Sequence, residues 1–380
     1  MTHNKNKVIV GLSGGVDSAT TAYLLKKQGY QVAGVYLQCW DMPGCATDPN
    51  RKDALKVALK LEIPFQVLDF RKEYKTRVIE YFYKEYEAGR TPNPDILCNS
   101  EIKFGLFYNW ALRQAQGKSP RADFVATGHY AKIHQLKAKN SEENMYGLFS
   151  AKDTHKDQSY FLYRLRVEQL PHILFPLGTF LKSEIRKLAS KADLPVAAKK
   201  DSMGICFIGD IDVSKMLKER FGTKKGEVQL ADGTVIGEHE GYWFFTIGKR
   251  GNWRLKTKSE KLKTKKFDFA SLPKLYVIGI KSEENIVVVG EREEVMKTEF
   301  SITDLHWIKS TDESRIKNQG LWVKIRNTGE FLPATLETKE QRYKVVLSKP
   351  EFGVSSGQSC VLYQKIREEY LVLGGGVISA

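Results

Sequence analysis

A chain of 380 residues with 42% hydrophobic content holds too much material for one ordinary core, so two or three domains are expected. Its 60 Lys and Arg outnumber 45 Asp and Glu, and the resulting net charge of +15 favours a polyanionic partner such as a nucleic acid. Five widely spaced cysteines exclude the dense disulfide framework of a small secreted domain; with no run of about 18 apolar residues and an opening MTHNKNK that lacks a signal-peptide core, a cytoplasmic location without membrane contact is expected.

The first element is the apolar run Val8–Val10, which feeds SGGVDSAT at positions 13 to 20. A strand that passes through a glycine turn into a helix leaves backbone N–H groups and the positive end of the helix dipole facing one point, and so builds an anion site. Gly14 and Gly15 permit positive φ and close approach of the main chain, Ser13 and Ser18 add hydroxyls, and Asp17 either holds a magnesium ion or orders the turn. The loop is too short for a Walker A motif, and no GxGxxG appears. Its spacing resembles the pyrophosphate-loop signature of enzymes that split ATP into AMP and pyrophosphate.

Further strands are expected at Val32–Leu37, Phe65–Leu68 and Phe124–Ala126, with helical patterns near 17–28, 51–61, 72–88 and 100–116. This alternation predicts an α/β doubly wound parallel sheet. Ligands of such sheets sit beyond the carboxyl ends of the strands, where SGGVDS, the loop after Leu37 and TGHYA at 127–131 all fall. After about residue 200 the pattern changes to short alternating runs such as KLYVIGI, IVVVG, YKVVLS and SCVLY, which predict two small β-rich modules. The expected domains are 1–200, 201–295 and 296–380. From Lys249 to Lys266, nine basic residues face only Glu260, an exposed loop that is either solvated or in contact with nucleic acid.

Two cysteines stand in extended motifs. In RTPNPDILCNSEIKF at 90–104, prolines stiffen the approach to Cys98, a helix is expected from about Ser100, and Asp95 lies within reach for proton exchange. In KKDSMGICFIGD at 199–210, Cys206 follows Lys199 and Lys200, charges that favour a thiolate. Singly, each is as compatible with an inert buried thiol. Cys39 and Cys45 lack the further ligands of a zinc site, so no fixed metal site is expected.

Taken together, VGLSGGVDS, AGRTPNPDILCNSEIKF, DFVATGHYA, KDQSYFL, KKDSMGICFIG, FFTIGKR and SSGQSCVLY resemble the tRNA-specific 2-thiouridylase family across nearly the whole chain. That resemblance implies an enzyme that replaces the C2 oxygen of the wobble uridine with sulfur after adenylating it. It implies that Gly11, Leu12, Ser13, Gly14, Gly15, Val16, Asp17 and Ser18 bind the triphosphate of ATP with Mg2+, and that Leu37 and Gly128 border the adenosine. Cys206 is implied as the persulfide carrier, Cys98 as the second thiol, attacking covalently or closing a disulfide with Cys206, and Asp95 as the proton-transfer group. Asn93, Pro94 and Asp95 are implied to touch the target base, and His129, Lys156, Asp157, Gln158, Arg326, Asn327 and Gln358 the tRNA. The partners implied are tRNAs for Glu, Gln and Lys and a sulfur donor such as a cysteine desulfurase or relay protein. The chain departs from the family after FFTIGKR, where GNWRLKTKSEKLKTKKF replaces a glycine-rich turn, and at Asn327, where an aromatic is usual. Another ATP pyrophosphatase, or a non-catalytic tRNA-binding protein, would account for the first loop but not for the cysteine motifs.

Overall fold

Val8, Ile9 and Val10 are all buried, as a strand covered on both faces requires. They belong to β1 (Lys7–Gly11), which with β2 (Gln31–Gln38), β3 (Phe65–Asp69), β4 (Phe124–Ala126) and β7 (Ile173–Leu174) forms a five-stranded sheet in the order β3-β2-β1-β4-β7. Every neighbouring pair is parallel. The computed structural model describes residues 6–40, 47–112, 122–136, 145–201, 212–255, 273–308, 320–339 and 342–379.

Alternate side chains of β1 enter different cores. Val8 and Val10 pack with α1 (Val16–Lys27) and α2 (Thr47–Lys60), while Ile9 packs with Tyr74, Phe82, Cys98 and Phe107 from helical segments on the opposite face. Helices on both faces make the sheet doubly wound, as expected. Strand order runs outward from β1 in one direction and from β4 in the other, so the chain reverses between these two strands and opens a crevice at their carboxyl ends.

The helix expected from about Ser100 starts earlier. Pro94 occupies its first turn, where no amide donor is needed, and the winding continues through Cys98 to Leu112. From Cys98 to Phe107 it is π-helical, with the Tyr108 N–H reaching the Lys103 carbonyl. Cys98 therefore sits inside a helix and not on the turn before it.

The central module is a sheet of β8 (Gly226–Gln229), β9 (Val235–His239), β10 (Arg254–Leu255), β11 (Tyr276–Lys281) and β12 (Ile286–Gly290) in the order β10-β9-β8-β12-β11. Its Val228, Trp243 and Val277 share one core with Phe82 of the first domain, and the Tyr242 hydroxyl donates to the Glu87 carbonyl. The last six strands, β13 (Met296–Trp307), β14 (Leu321–Lys324), β15 (Leu332–Lys339), β16 (Arg342–Phe352), β17 (Ser359–Ile366) and β18 (Glu369–Ser379), close into a barrel through β13–β18 pairing.

One feature escaped the sequence pattern. A hairpin of β5 (Lys132–Leu136) and β6 (Met145–Phe149) leaves the first domain and pairs with β18, joined by the Ser150 N–H to the Tyr370 carbonyl at 2.8 Å and by a Lys132–Glu369 ion pair. The barrel is thus docked on the nucleotide-type domain by main-chain bonds.

Candidate active site

Between β1 and α1 the chain turns at Gly14, whose φ is +75°. A Cβ there would lie 2.2 Å from the Asn50 carbonyl oxygen, so the loop accepts only glycine at this point. Gly15, the N-cap of α1, supplies no side-chain cap, which leaves the first-turn N–H groups without that partner. Ser18 turns inward: its Oγ accepts from the Ser13 N–H at 3.1 Å and donates to the Gly15 carbonyl at 3.2 Å. Leu12, Val16 and Leu37 are buried packing residues. Gly11 ends β1, and Gly128 presses on the start of α1, where a Cβ would stand 2.8 Å from the Ser18 nitrogen.

The Asp17 carboxylate accepts from Lys182 at 2.7 and 2.8 Å and from the Tyr130 hydroxyl at 3.0 Å. These bonds tie the first turn of α1 to Lys182 and Tyr130. Lys182 also pairs with Asp201 at 2.9 Å, and Lys156 meets the same carboxylate at 2.8 Å alongside Arg186. Burial raises the Asp201 pKa, but hydrogen bonds from Lys156 and Lys182 outweigh it and hold the carboxyl well below the usual range. Burial likewise opposes ionisation of Asp53, whose pKa is nonetheless lowered by Lys199 and Lys56.

Lys199 was expected beside the Cys206 thiol. Its ammonium donates to the Gly14 carbonyl at 2.9 Å, Asn50 at 2.8 Å and Asp53 at 2.8 Å, which ties it to the glycine loop; Cys206 itself lies outside the described residues. Sequence reasoning missed Lys182, Tyr130, Asn50, Asp53 and Asp201. Lys182 and Lys199 reach the loop across 165 and 185 residues, distances over which no local pattern operates.

Cys98 is fully buried in the core shared with Ile9, Leu37 and Phe107, and its N–H bonds the carbonyls of Asp95 and Pro94. Asn93 is the N-cap of this helix and its amide lies 3.5 Å from the Gln358 Oε1. Gln358 in turn donates to the carbonyls of Thr91 at 3.1 Å and Pro92 at 3.0 Å. Asn93, Pro94, Asp95 and Gln358 therefore come together at the junction of first domain and barrel.

His129 packs between Phe104 and Phe175 with its Nδ1 2.7 Å from the Thr127 hydroxyl and its Nε2 3.4 Å from Lys103. Burial, then the Lys103 charge, push its pKa well below the ordinary value. A neutral ring next to an ammonium accepts at Nε2 and donates from Nδ1 to Thr127. This imidazole bridges the TGHYA turn and the Cys98 helix.

The other expected tRNA contacts are scattered. Asp157 is 3% exposed and accepts from the N–H groups of Ala151 at 2.9 Å and Ser159 at 3.2 Å; burial raises its pKa. Gln158 accepts from the Tyr130 N–H at 3.0 Å. These two side chains brace the fold, and the half-buried Lys156 is paired with Asp201. Arg326 bonds the Phe352 carbonyl at 2.9 Å and Glu351, and the Asn327 Oδ1 is buried with no partner among the described residues. Cys206, Cys45 and the basic segment from 256 onward lie outside the described residues. Cys39 and Cys360 are buried thiols, and no cluster of metal-ligating side chains occurs among the described residues.

A doubly wound sheet whose switch point holds a braced glycine loop, an uncapped helix start and two converging lysines defines a nucleotide-binding α/β protein. Family models match along the chain: the tRNA methyl transferase HUP domain at residues 6–210, the tRNA methyl transferase PRC-barrel domain at 214–291 and the aminomethyltransferase beta-barrel domain at 297–378. Full-length relatives carry the name tRNA-specific 2-thiouridylase MnmA. That of Pediococcus pentosaceus is 39% identical over 100% of this chain and 97% of its own length, and that of Aromatoleum aromaticum 40% identical over 99% and 98%. The protein from Nitrosomonas europaea is 38% identical over 99% and 98%. The model descriptions speak of methyl transfer, whereas these relatives are named for thiolation. The chain belongs to the MnmA family of tRNA-specific 2-thiouridylases. Among the described residues no helix is long and apolar enough to cross a membrane.

Proposed function

We propose that this protein thiolates the wobble uridine of tRNA at C2 in an ATP-dependent reaction, in the cytoplasm. The observation that carries the reading is the TGHYA turn: Gly128 abuts the start of α1 while His129 contacts Lys103 on the Cys98 helix, so phosphate loop and thiol helix flank one crevice. An activating nucleotide and a nucleophilic thiol are the two things this substitution needs, because a uracil carbonyl oxygen is a poor leaving group.

Residues Gly11 to Ser18 fit a triphosphate, with main-chain donors and Lys182 and Lys199 supplying positive charge. ATP supplies the adenylyl group that turns the C2 oxygen into a leaving group. Cys206 carries the incoming sulfur as a persulfide, whose terminal sulfur bonds to C2 as the bond from C2 to the AMP oxygen breaks. The Cys98 thiol then attacks the Cys206 sulfur, so the S–S bond to the transferred sulfur breaks, the sulfur stays on C2, and the resulting Cys98–Cys206 disulfide is reopened by an external thiol reductant. Cys98 is the second thiol, and Asp95, one turn before it, handles the proton. Asn93 to Asp95 meet the target base, which must leave its stack to enter the crevice. Lys156, Arg326 and the basic segment after Arg254 are assigned to tRNA phosphates, with domains at 1–200, 201–295 and 296–380. The partners are tRNAs for Glu, Gln and Lys and a persulfide-donating protein.

Mass spectrometry of nucleosides from tRNA incubated with the protein, ATP and a persulfide donor tests this directly. A 2-thiouridine peak that requires ATP is expected. Unmodified uridine under conditions where pyrophosphate is released would overturn the sulfur-transfer step.

A further inference from the structure

We propose that Gln358 is a positioning residue for Cys98: the barrel turn that carries it latches the segment leading into the Cys98 helix, and tRNA claims Gln358 only by breaking that latch. The inference rests on the reading of Cys98 as a reacting thiol.

A glutamine amide has two N–H donors. Both are engaged, one on the Thr91 carbonyl at 3.1 Å and one on the Pro92 carbonyl at 3.0 Å. An RNA phosphate or base acceptor at the Gln358 nitrogen must therefore displace at least one of these carbonyls. The contact is reinforced by the Thr91 N–H, which donates to the Ser356 carbonyl at 2.9 Å. It is also tight: Gly357 has φ +90°, and a Cβ there would stand 2.8 Å from the Thr91 oxygen and 3.0 Å from the Arg90 Cβ.

The turn belongs rigidly to the barrel. The Gly357 N–H bonds the Ile378 carbonyl at 2.9 Å and the Ile378 N–H returns to the Gln358 carbonyl at 2.7 Å, while from the first domain the Tyr160 hydroxyl holds the adjoining Ser359 carbonyl at 2.8 Å. On the other side Arg90 forms a bidentate pair with Glu85, both contacts at 2.6 Å. Thr91 to Asn93 are thus clamped between two fixed bodies, and Pro94 begins the helix immediately afterwards. Four residues on, Cys98 is fully buried at the start of a π-helical stretch, a winding less favourable than the α-helix and recurrent at functional sites. Loosening Thr91 to Asn93 frees the end of that helix, and with it the thiol.

The test uses tRNA-free protein first. Alkylation of Cys98 by a small maleimide, followed by peptide mass spectrometry, is compared between wild type, Gln358→Ala and Gln358→Glu, which keeps the shape and loses both donors. Cys39 and Cys360, both buried thiols, report on the rest of the fold. Both variants are expected to speed Cys98 alkylation about tenfold, a fall of about 1.4 kcal/mol in the opening free energy, with Cys39 and Cys360 unmoved. Hydrogen exchange at the Thr91 amide is expected to rise in the variants, and in wild type on adding tRNA. Unchanged Cys98 alkylation would make Gln358 an RNA contact only, and equal acceleration of all three thiols would make it a general stabiliser. Either overturns the latch. Because the alkylation arm contains neither ATP nor tRNA, its outcome is independent of whether the protein makes 2-thiouridine.

Discussion

The two halves of the candidate site share one sheet edge and are assembled in opposite ways. The nucleotide half is continuous in sequence: Gly11 to Ser18 supply the turn, the helix start and the hydroxyls, and distant Lys182 and Lys199 tie the loop down. In the thiol half, Cys98 gets its setting from the opposite face of the sheet, and its approach is held by Gln358 from the far end of the chain. Charge separates them too. Lysines and carboxylates crowd around the loop, whereas Cys98 lies among apolar side chains and a neutral His129 bridges the two regions. A polyanion is held best by dipoles and cations that need no rearrangement, while a thiol protected in a core must be uncovered before it reacts.

The largest expected effect breaks the nucleotide half alone. Gly14→Ala adds a Cβ that collides with the Asn50 carbonyl in a left-handed backbone, so the loop must move by an ångström or more. Misplacement on that scale lowers ATP-dependent pyrophosphate release by about 100-fold, with tRNA affinity in a filter-binding assay close to wild type. Normal release by Gly14→Ala would show that the loop does not hold the phosphates. Cys98→Ser is the converse experiment. It is expected to stop 2-thiouridine formation while pyrophosphate release continues, and loss of both together would erase the division between the halves.

A smaller effect sharpens the comparison. Lys199→Met removes three hydrogen bonds that join the Gly14 carbonyl to Asn50 and Asp53, without touching the core. The KM for ATP is expected to rise about tenfold, the scale of one charge-assisted hydrogen bond of about 1.4 kcal/mol. If the change instead falls on Cys206 reactivity with KM unaltered, Lys199 belongs to the thiol half, as its place in the sequence suggested.

How far each half could be read from sequence follows from the same difference. Gly14, Gly15 and the strand before them form a local pattern, and the parallel sheet was legible because Val8–Val10, Val32–Leu37 and Phe65–Leu68 alternate with helical patterns. Lys182 and Asp201 gave no such signal, since a charged residue on a helix or loop looks solvated until its partner is known. The helix starts earlier than expected: the prolines at 92 and 94 read as a stiff approach to Cys98, whereas Pro94 at the first turn initiates. Asp157 and Gln158 stand in a motif that resembles an RNA-contacting one, yet Ser159 and Tyr130 draw their side chains inward. The β5–β6 hairpin was invisible because its pairing partner, β18, lies at the other end of the chain.

The smallest expected effect concerns acid stability, and it tests whether the ion network binds the nucleotide half together. Asp201 has a folded-state pKa well below that of a free carboxyl, since Lys156 and Lys182 stabilise the carboxylate more than burial disfavours it. For a carboxyl depressed by folding, the unfolded chain binds the proton more readily, so the stabilisation is full above about pH 4 and is lost as pH falls toward the folded value. Asp201→Asn removes the carboxylate. The variant is expected to melt a few degrees below wild type at pH 6, with the gap narrowing as pH drops below about 4, where the unfolded wild-type chain takes up the proton while the folded carboxylate stays ionised. Asp53, lowered by Lys199 and Lys56, titrates in the same direction and remains in the variant, so its acid sensitivity is reduced and not abolished. Thermal melts of both proteins at pH 6 and pH 3.5 decide the point. A gap that stays constant between the two pH values would mean that Asp201 acts by packing alone, and that Lys182 holds Asp17 without help from the residues that follow Lys199.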